Sequence, residues 1–215
     1  QAGFDVISVV IATDDKAHYY PGAGMFIIKL IADKNSRKLL GVQVLGSGAV
    51  DKVTDVGVVA LTMGATIDQL QNMDMAYAPP FSSAKDPVNM VGFVIENILE
   101  GRVKQYHWEE IKELQQDGSV TLLDVRTESE YREGALAGSI NIPLDSLREN
   151  LHQIEKNKPV YVNCYSGLRS YVACRILSEL GYCCYNLSGG YGFYEYILYD
   201  KSFDDTARHG CGVKI

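Results

Sequence analysis

Between residues 119 and 190, short apolar runs alternate with amphipathic ones, and that alternation restricts the chain to few folds. "SVTLLDVR", "GSINIP", "PVYVNC" and "CCYNLSGG" read as strands, with "ESEYREG", "SLRENLHQIEK" and "RSYVACRILSELG" as helices between them. A strand followed each time by a helix returns to the same end of the sheet, so the strands lie parallel with helices covering them. The expectation is an α/β domain over residues 102–203.

Residues 1–101 follow a different plan. "DVISVVIAT", "MFIIKLIAD" and "KLLGVQVLG" are strand-like, and the last two pair as a hairpin across "DKNSRK". From Ala49 the period becomes helical through Val53, Val56, Ala60 and Met63, with Gly64 at the cap position. "TIDQLQNM" gives a second helix started by a Thr cap, and "PVNMVGFVIENILEG" a third with its proline first and Gly101 last. Strands grouped before helices imply an α+β unit. The boundary falls near residues 101–107, and residues 204–215 read as a tail or linker.

A net charge of −7 argues against nucleic acid or an anionic membrane as partner. No apolar run approaches the ~20 residues a bilayer needs. The opening residues lack the basic region of a signal peptide. All five cysteines fall in the last quarter in no disulfide spacing, which suits a reducing cytoplasm. His209 and Cys211 alone make no metal site.

"NCYSGLRS" concentrates the chemistry. Cys164 opens a strand-to-helix loop, where backbone N–H groups and the helix dipole favour a thiolate. Gly167 permits a tight turn, Arg169 adds a fixed positive charge, and Ser166 and Ser170 supply hydroxyl donors or cap the helix. Cys174, Cys183 and Cys184 lie inside apolar segments and read as buried packing residues.

Together with "LLDVRTESEYREGALAGSINIPL" before it and "YNLSGGYGFY" after it, this loop resembles the rhodanese (sulfurtransferase) family over roughly residues 104–200. The resemblance implies a persulfide on Cys164, cradled by Tyr165, Ser166, Gly167, Leu168, Arg169 and Ser170. Asp124 and Arg126 match positions near the loop and read as an internal ion pair. Ala135 stands where the family often carries a histidine. Cysteine phosphatases place five residues between cysteine and arginine. Here "YSGL" supplies four, which suits a single sulfur better than a phosphate.

"HYYPGAGMFIIKLIADKNSRKLLGVQVLG" and "DMAYAPPFSSAKDPVNMVGFVIEN" resemble the dimerisation domain of the flavin-dependent pyridine nucleotide-disulfide oxidoreductases, in the coenzyme A-disulfide reductase and NADH oxidase branch. That resemblance implies a homodimer through residues 1–101, with Tyr20 and Tyr77 reaching the partner's active site. It also implies FAD, NAD(P)H and CoA for a full-length protein. Neither "GAGMFI" nor "GSGAVD" completes a dinucleotide-binding glycine motif, so this chain is expected to bind no cofactor and to have no reductase activity alone. The expectation is a C-terminal piece of a flavin-dependent CoA-disulfide or persulfide reductase, acting on a small sulfur donor and a thiol acceptor. The rival expectation is a non-catalytic module for dimerisation and partner binding.

Overall fold

The computed structural model describes residues 3–202. In the first half, β1 (Val6–Asp14), β2 (Met25–Asp33) and β3 (Leu39–Gly46) form an antiparallel sheet in that order. Alternation sets its inner face: Ile7, Val9 and Ile11 of β1 and Phe26, Ile28 and Leu30 of β2 are buried. Against that face lie α1 (Val50–Thr62), α2 (Ile67–Gln71) and α3 (Pro87–Leu99). α1 sits tightly on β3, because a Cβ on Gly57 would stand 2.7 Å from the Val42 side chain. Thr66 and Gln69 form a reciprocal capping box on α2, and Asp86 caps α3 with Pro87 in its first turn.

The second half is a five-stranded parallel sheet in the order β4-β8-β7-β5-β6. Its strands are β4 (Lys104–Tyr106), β5 (Thr121–Asp124), β6 (Ile140–Asn141), β7 (Val160–Asn163) and β8 (Cys184–Leu187). α4 (Ile111–Leu114), α5 (Glu128–Glu133), α6 (Leu168–Glu179) and α7 (Gly190–Ser202) complete it. The molecule is therefore an α+β unit followed by an α/β domain whose parallel sheet is covered by helices. Placing β7 at the centre of the sheet sets the loop after it in the middle of the carboxyl edge, where open α/β sheets bind ligands.

Three elements depart from the sequence expectation. Residues 104–106, expected as connector, form the edge strand β4 and pair in parallel with β8. "SLRENLHQIEK" is not one helix but 3-10 turns at Leu144–Ser146 and Leu151–Gln153. The Asn150 side chain takes the Ser146 carbonyl at 2.9 Å, the acceptor its own N–H would use in an α-helix, while that N–H bonds Leu147 instead. Leu147 and Ile154 still reach the core, so the periodicity was real and the helix was not. Finally, residues 190–202 form α7, which the glycines and the run of tyrosines did not announce.

The two halves touch. The Ser188 hydroxyl accepts from the Val10 N–H at 2.9 Å and meets the Val10 carbonyl at 3.3 Å, capping one position on the free edge of β1. Ile98 packs against both hydrophobic cores.

Candidate functional site

Cys164 is the first residue beyond β7 and is fully buried. Gly167 turns the loop with φ 95°, a left-handed conformation that glycine adopts without a Cβ clash, and α6 begins at the next residue. The turn points the Gly167 N–H back at the Cys164 Sγ, 3.2 Å away. One turn into α6 the buried Ser170 hydroxyl donates to the same sulfur at 3.3 Å. The sulfur thus receives two hydrogen bonds at a helix start.

The loop is braced from behind by the turn after β8. The Tyr191 N–H donates to the Cys164 carbonyl at 2.7 Å, and the Gly192 N–H to the Tyr165 carbonyl at 2.9 Å. The Asn186 side chain donates to the Gly167 carbonyl at 3.1 Å. Gly190 has φ 71°, and a Cβ there would lie 2.3 Å from the Tyr165 carbonyl oxygen. The "SGGYG" run is therefore a surface shaped to receive the cysteine loop.

Arg169 does not stand free. Its guanidinium makes a two-pronged pair with Glu130 of α5, at 2.6 and 2.8 Å. That pairing holds the Glu130 carboxyl down to about 2 and raises Arg169, which also feels the Cys164 sulfur. Glu130 simultaneously caps α5, accepting from the Thr127 N–H at 2.9 Å. Sequence reasoning missed Glu130 as a site residue. Its T-x-x-E spacing marks a capping box, but nothing local marks a partner 39 positions away.

Asp124 and Arg126 form a buried pair at 2.7 Å. Arg126 also donates to the Gly134 carbonyl at 2.6 Å and lies 4.1 Å from the Tyr191 ring centroid. A small cleft of about 200 Å³ opens here, lined by Tyr165, Arg126, Gly134 and three carboxylates, Glu130, Glu133 and Glu195. Burial raises the Tyr165 hydroxyl, so it stays protonated at neutral pH.

Ser166 and Leu168 line a second, larger cleft toward the first half of the chain. Tyr20 is half-buried in the β1–β2 connection, and Tyr77 is exposed between α2 and α3; neither lines either cleft. Cys174 and Cys184 are buried, but Cys183 is exposed, with Lys104 Nζ 3.8 Å from its sulfur. The expectation of a buried Cys183 fails because Cys183 directly precedes β8, outside the strand that buries Cys184. His209 and Cys211 lie outside the described residues. Among the described residues no group of three or more His, Cys, Asp or Glu is placed to hold a metal.

The glycine turns of the first half pack against side chains of the same domain. A Cβ on Gly24 would meet Ser47 Oγ at 2.1 Å, and one on Gly48 would meet the Asp15 carboxylate at 2.5 Å. The Gly24 N–H already donates to Asp15 at 2.7 Å. Protein, including a carboxylate, fills the space beside both turns.

Residues 1–87 match the pyridine nucleotide-disulphide oxidoreductase dimerisation domain, and residues 107–195 match the rhodanese-like domain. The chain joins these two families in one polypeptide. It is 37% identical over 90 residues to a coenzyme A disulfide reductase of Staphylococcus epidermidis, covering 42% of this chain and 20% of that one. Among solved structures it superposes on reduced Bacillus anthracis CoADR-RHD with TM-score 0.86 and 42% identity, covering 91% of this chain and 35% of that one. It also superposes on a NAD-dependent persulfide reductase from A. fulgidus with TM-score 0.80 and 39% identity, covering 89% and 34%. The chain thus spans about a fifth of its curated relative and about a third of each solved structure. Among the described residues no helix is long and apolar enough to cross a membrane.

Proposed function

We propose that the rhodanese-like domain carries sulfane sulfur on Cys164 and passes it to a thiol. The observation that carries this reading is the sulfur's setting: hydrogen bonds from the Gly167 N–H and the Ser170 hydroxyl, at the start of α6 and the carboxyl edge of a parallel sheet. The Cys164 thiolate attacks the outer sulfur of a persulfide or polysulfide donor. The donor's S–S bond breaks, its inner sulfur leaves as a thiolate with the electron pair, and Cys164 keeps the persulfide. An acceptor thiolate then attacks the outer sulfur and regenerates the Cys164 thiolate, with no net oxidation. Arg169 stabilises the negative outer sulfur, and Glu130 positions Arg169.

In a longer protein with FAD and NAD(P)H domains, the acceptor is CoA or a cysteine near the flavin, and the assembly is a CoA-disulfide or persulfide reductase. Residues 1–101 supply its homodimer contact. α1 turns Val58 and Val59 outward, and Met63 just after it, Leu45 and Phe81 are also exposed, which is the apolar surface such a contact needs. Tyr20 and Tyr77 act at the partner subunit's flavin site, and the protein works in the cytoplasm.

The test is intact-protein mass after brief incubation with polysulfide, comparing wild type with Cys164→Ser. An adduct of about 32 Da is expected in wild type only, removable by thiol or cyanide. An adduct that persists in the folded variant, or never forms in wild type, rejects the assignment.

A further inference from the structure

The turn after β8 makes two sets of contacts, one with each half of the chain. Gly190, Tyr191 and Gly192 open α7, and the N–H groups in the first turn of a helix have no partner inside it. Here the Tyr191 and Gly192 N–H groups go to the Cys164 and Tyr165 carbonyls. Gly190 packs directly on the cysteine loop. A Cβ there would lie 2.8 Å from the Gly167 nitrogen, the donor to the Cys164 sulfur.

The other end of the turn reaches across to β1. Val10 belongs to that edge strand, and antiparallel alternation turns the N–H and carbonyl of every second residue away from β2. The Ser188 hydroxyl, 3% exposed, takes both groups of Val10, accepting at 2.9 Å and donating at 3.3 Å. Gly189 closes the contact, since a Cβ on it would stand 3.0 Å from a Val10 methyl group. The backbone of Ser188 is tied separately, its N–H donating to the Tyr106 carbonyl at 2.9 Å, so the parallel sheet does not need the hydroxyl. Ser188 and Gly189 thus fix the turn to the first half, and the next three residues fix it to the cysteine loop.

We propose that Ser188 is a positioning residue for the chemistry at Cys164: it pins the brace of the cysteine loop to β1, which makes the first half of the chain part of the sulfur site's scaffold. A close-packed turn passes a displacement on rather than absorbing it. A shift of the brace at Val10 therefore reaches the Gly167 nitrogen through Gly190. That N–H has to stay aligned with the sulfur, because a hydrogen bond weakens steeply as its angle closes below about 120°. Arg169, which also feels the sulfur, is held separately by Glu130 of α5. The positioning of the loop follows from these contacts alone; its effect on sulfur loading rests on Cys164 being the carrier.

Two variants break the latch from opposite halves. Ser188→Ala removes the hydroxyl, and Val10→Pro removes the N–H at an edge-strand position of the kind that tolerates proline. Ala12→Pro is the control: it takes an outward N–H from the same edge, but Ser188 bonds Val10 and not Ala12. In the 215-residue chain, isotope-labelled glycine reports the Gly167 amide, and the mass of the Cys164 peptide after polysulfide reports loading. Both latch variants should shift the Gly167 amide resonance and slow persulfide formation about three- to tenfold, up to the worth of one hydrogen bond. The donor concentration for half-maximal rate and the circular dichroism should not change, and Ser188→Thr, which keeps the hydroxyl, should restore both readouts. A serine that only fills the contact would alter stability and leave both readouts as in wild type. An unmoved Gly167 resonance in either folded variant, or an equal shift in Ala12→Pro, overturns the proposal. Should one latch variant fail to fold, the other decides. A moved resonance with an unaltered loading rate overturns the role in the chemistry. A moved resonance in a chain whose wild type takes no sulfur rejects the sulfur assignment and leaves the positioning of the loop standing.

Discussion

Glu130 performs two tasks with one carboxylate: it closes the capping box of α5 and holds the guanidinium of Arg169. Both need the charged form, which is why its folded-state value falls to about 2 against an unfolded value of about 4.3. A depressed carboxylate stabilises the fold fully above the unfolded value and loses that contribution as pH falls toward 2. The pair is about a third exposed, so solvent screening reduces its worth to about 1 kcal/mol. Glu130→Gln should therefore be less stable than wild type by about that amount at pH 7, with the gap closing between about pH 4.5 and pH 2. Urea midpoints at a series of pH values check this; a gap that stays constant to pH 2 would remove the charge from the explanation. The cap is a contact between neighbours in sequence, Thr127 and Glu130, whereas the ion pair depended on how α5 and α6 meet across the sheet edge.

At the scale of the element, the cysteine loop is one half of a fitted pair, and the turn from Ser188 to Gly192 is the other. Cys164, Gly167 and Arg169 were legible because a strand, a cysteine, a glycine and a helix follow one another within a few residues. What the glycines of "SGGYG" do was not legible, since their partner is the Tyr165 backbone on a different strand's loop. Gly190→Ala should destabilise the rhodanese-like domain by about 2–4 kcal/mol, from a left-handed backbone and a collision with a carbonyl that cannot yield. Denaturant unfolding followed by Trp108 fluorescence measures it. A loss under about 0.5 kcal/mol, the level of an ordinary surface change, would mean that the two turns do not interlock.

At the scale of the whole molecule, the exposed face of α1 and the contact between the halves govern behaviour. Val59 is 62% exposed in a single chain, so Val59→Asp costs the monomer within about 0.5 kcal/mol. In a dimer built on α1 the same change buries two opposed carboxylates. Light scattering at micromolar concentration should give a dimer for wild type and a monomer for the variant; a variant that remains dimeric places the contact elsewhere.

Local pattern alone determined most of the architecture: three alternating strands before helices, then strands alternating with helices, and a cysteine where a strand meets a helix. These features are carried by neighbouring residues, and period 2 or period 3.6 is a property of neighbours. Tertiary structure decided the rest. It made an edge strand of the polar residues 104–106, because β8 offered them a ladder. It broke an expected helix at Asn150, whose side chain competes for the backbone carbonyl. It also paired Arg169 with Glu130, and set the Asn186 side chain against the sulfur loop. Each of those outcomes turns on groups far apart in sequence brought within hydrogen-bond reach, and no local period encodes such a distance.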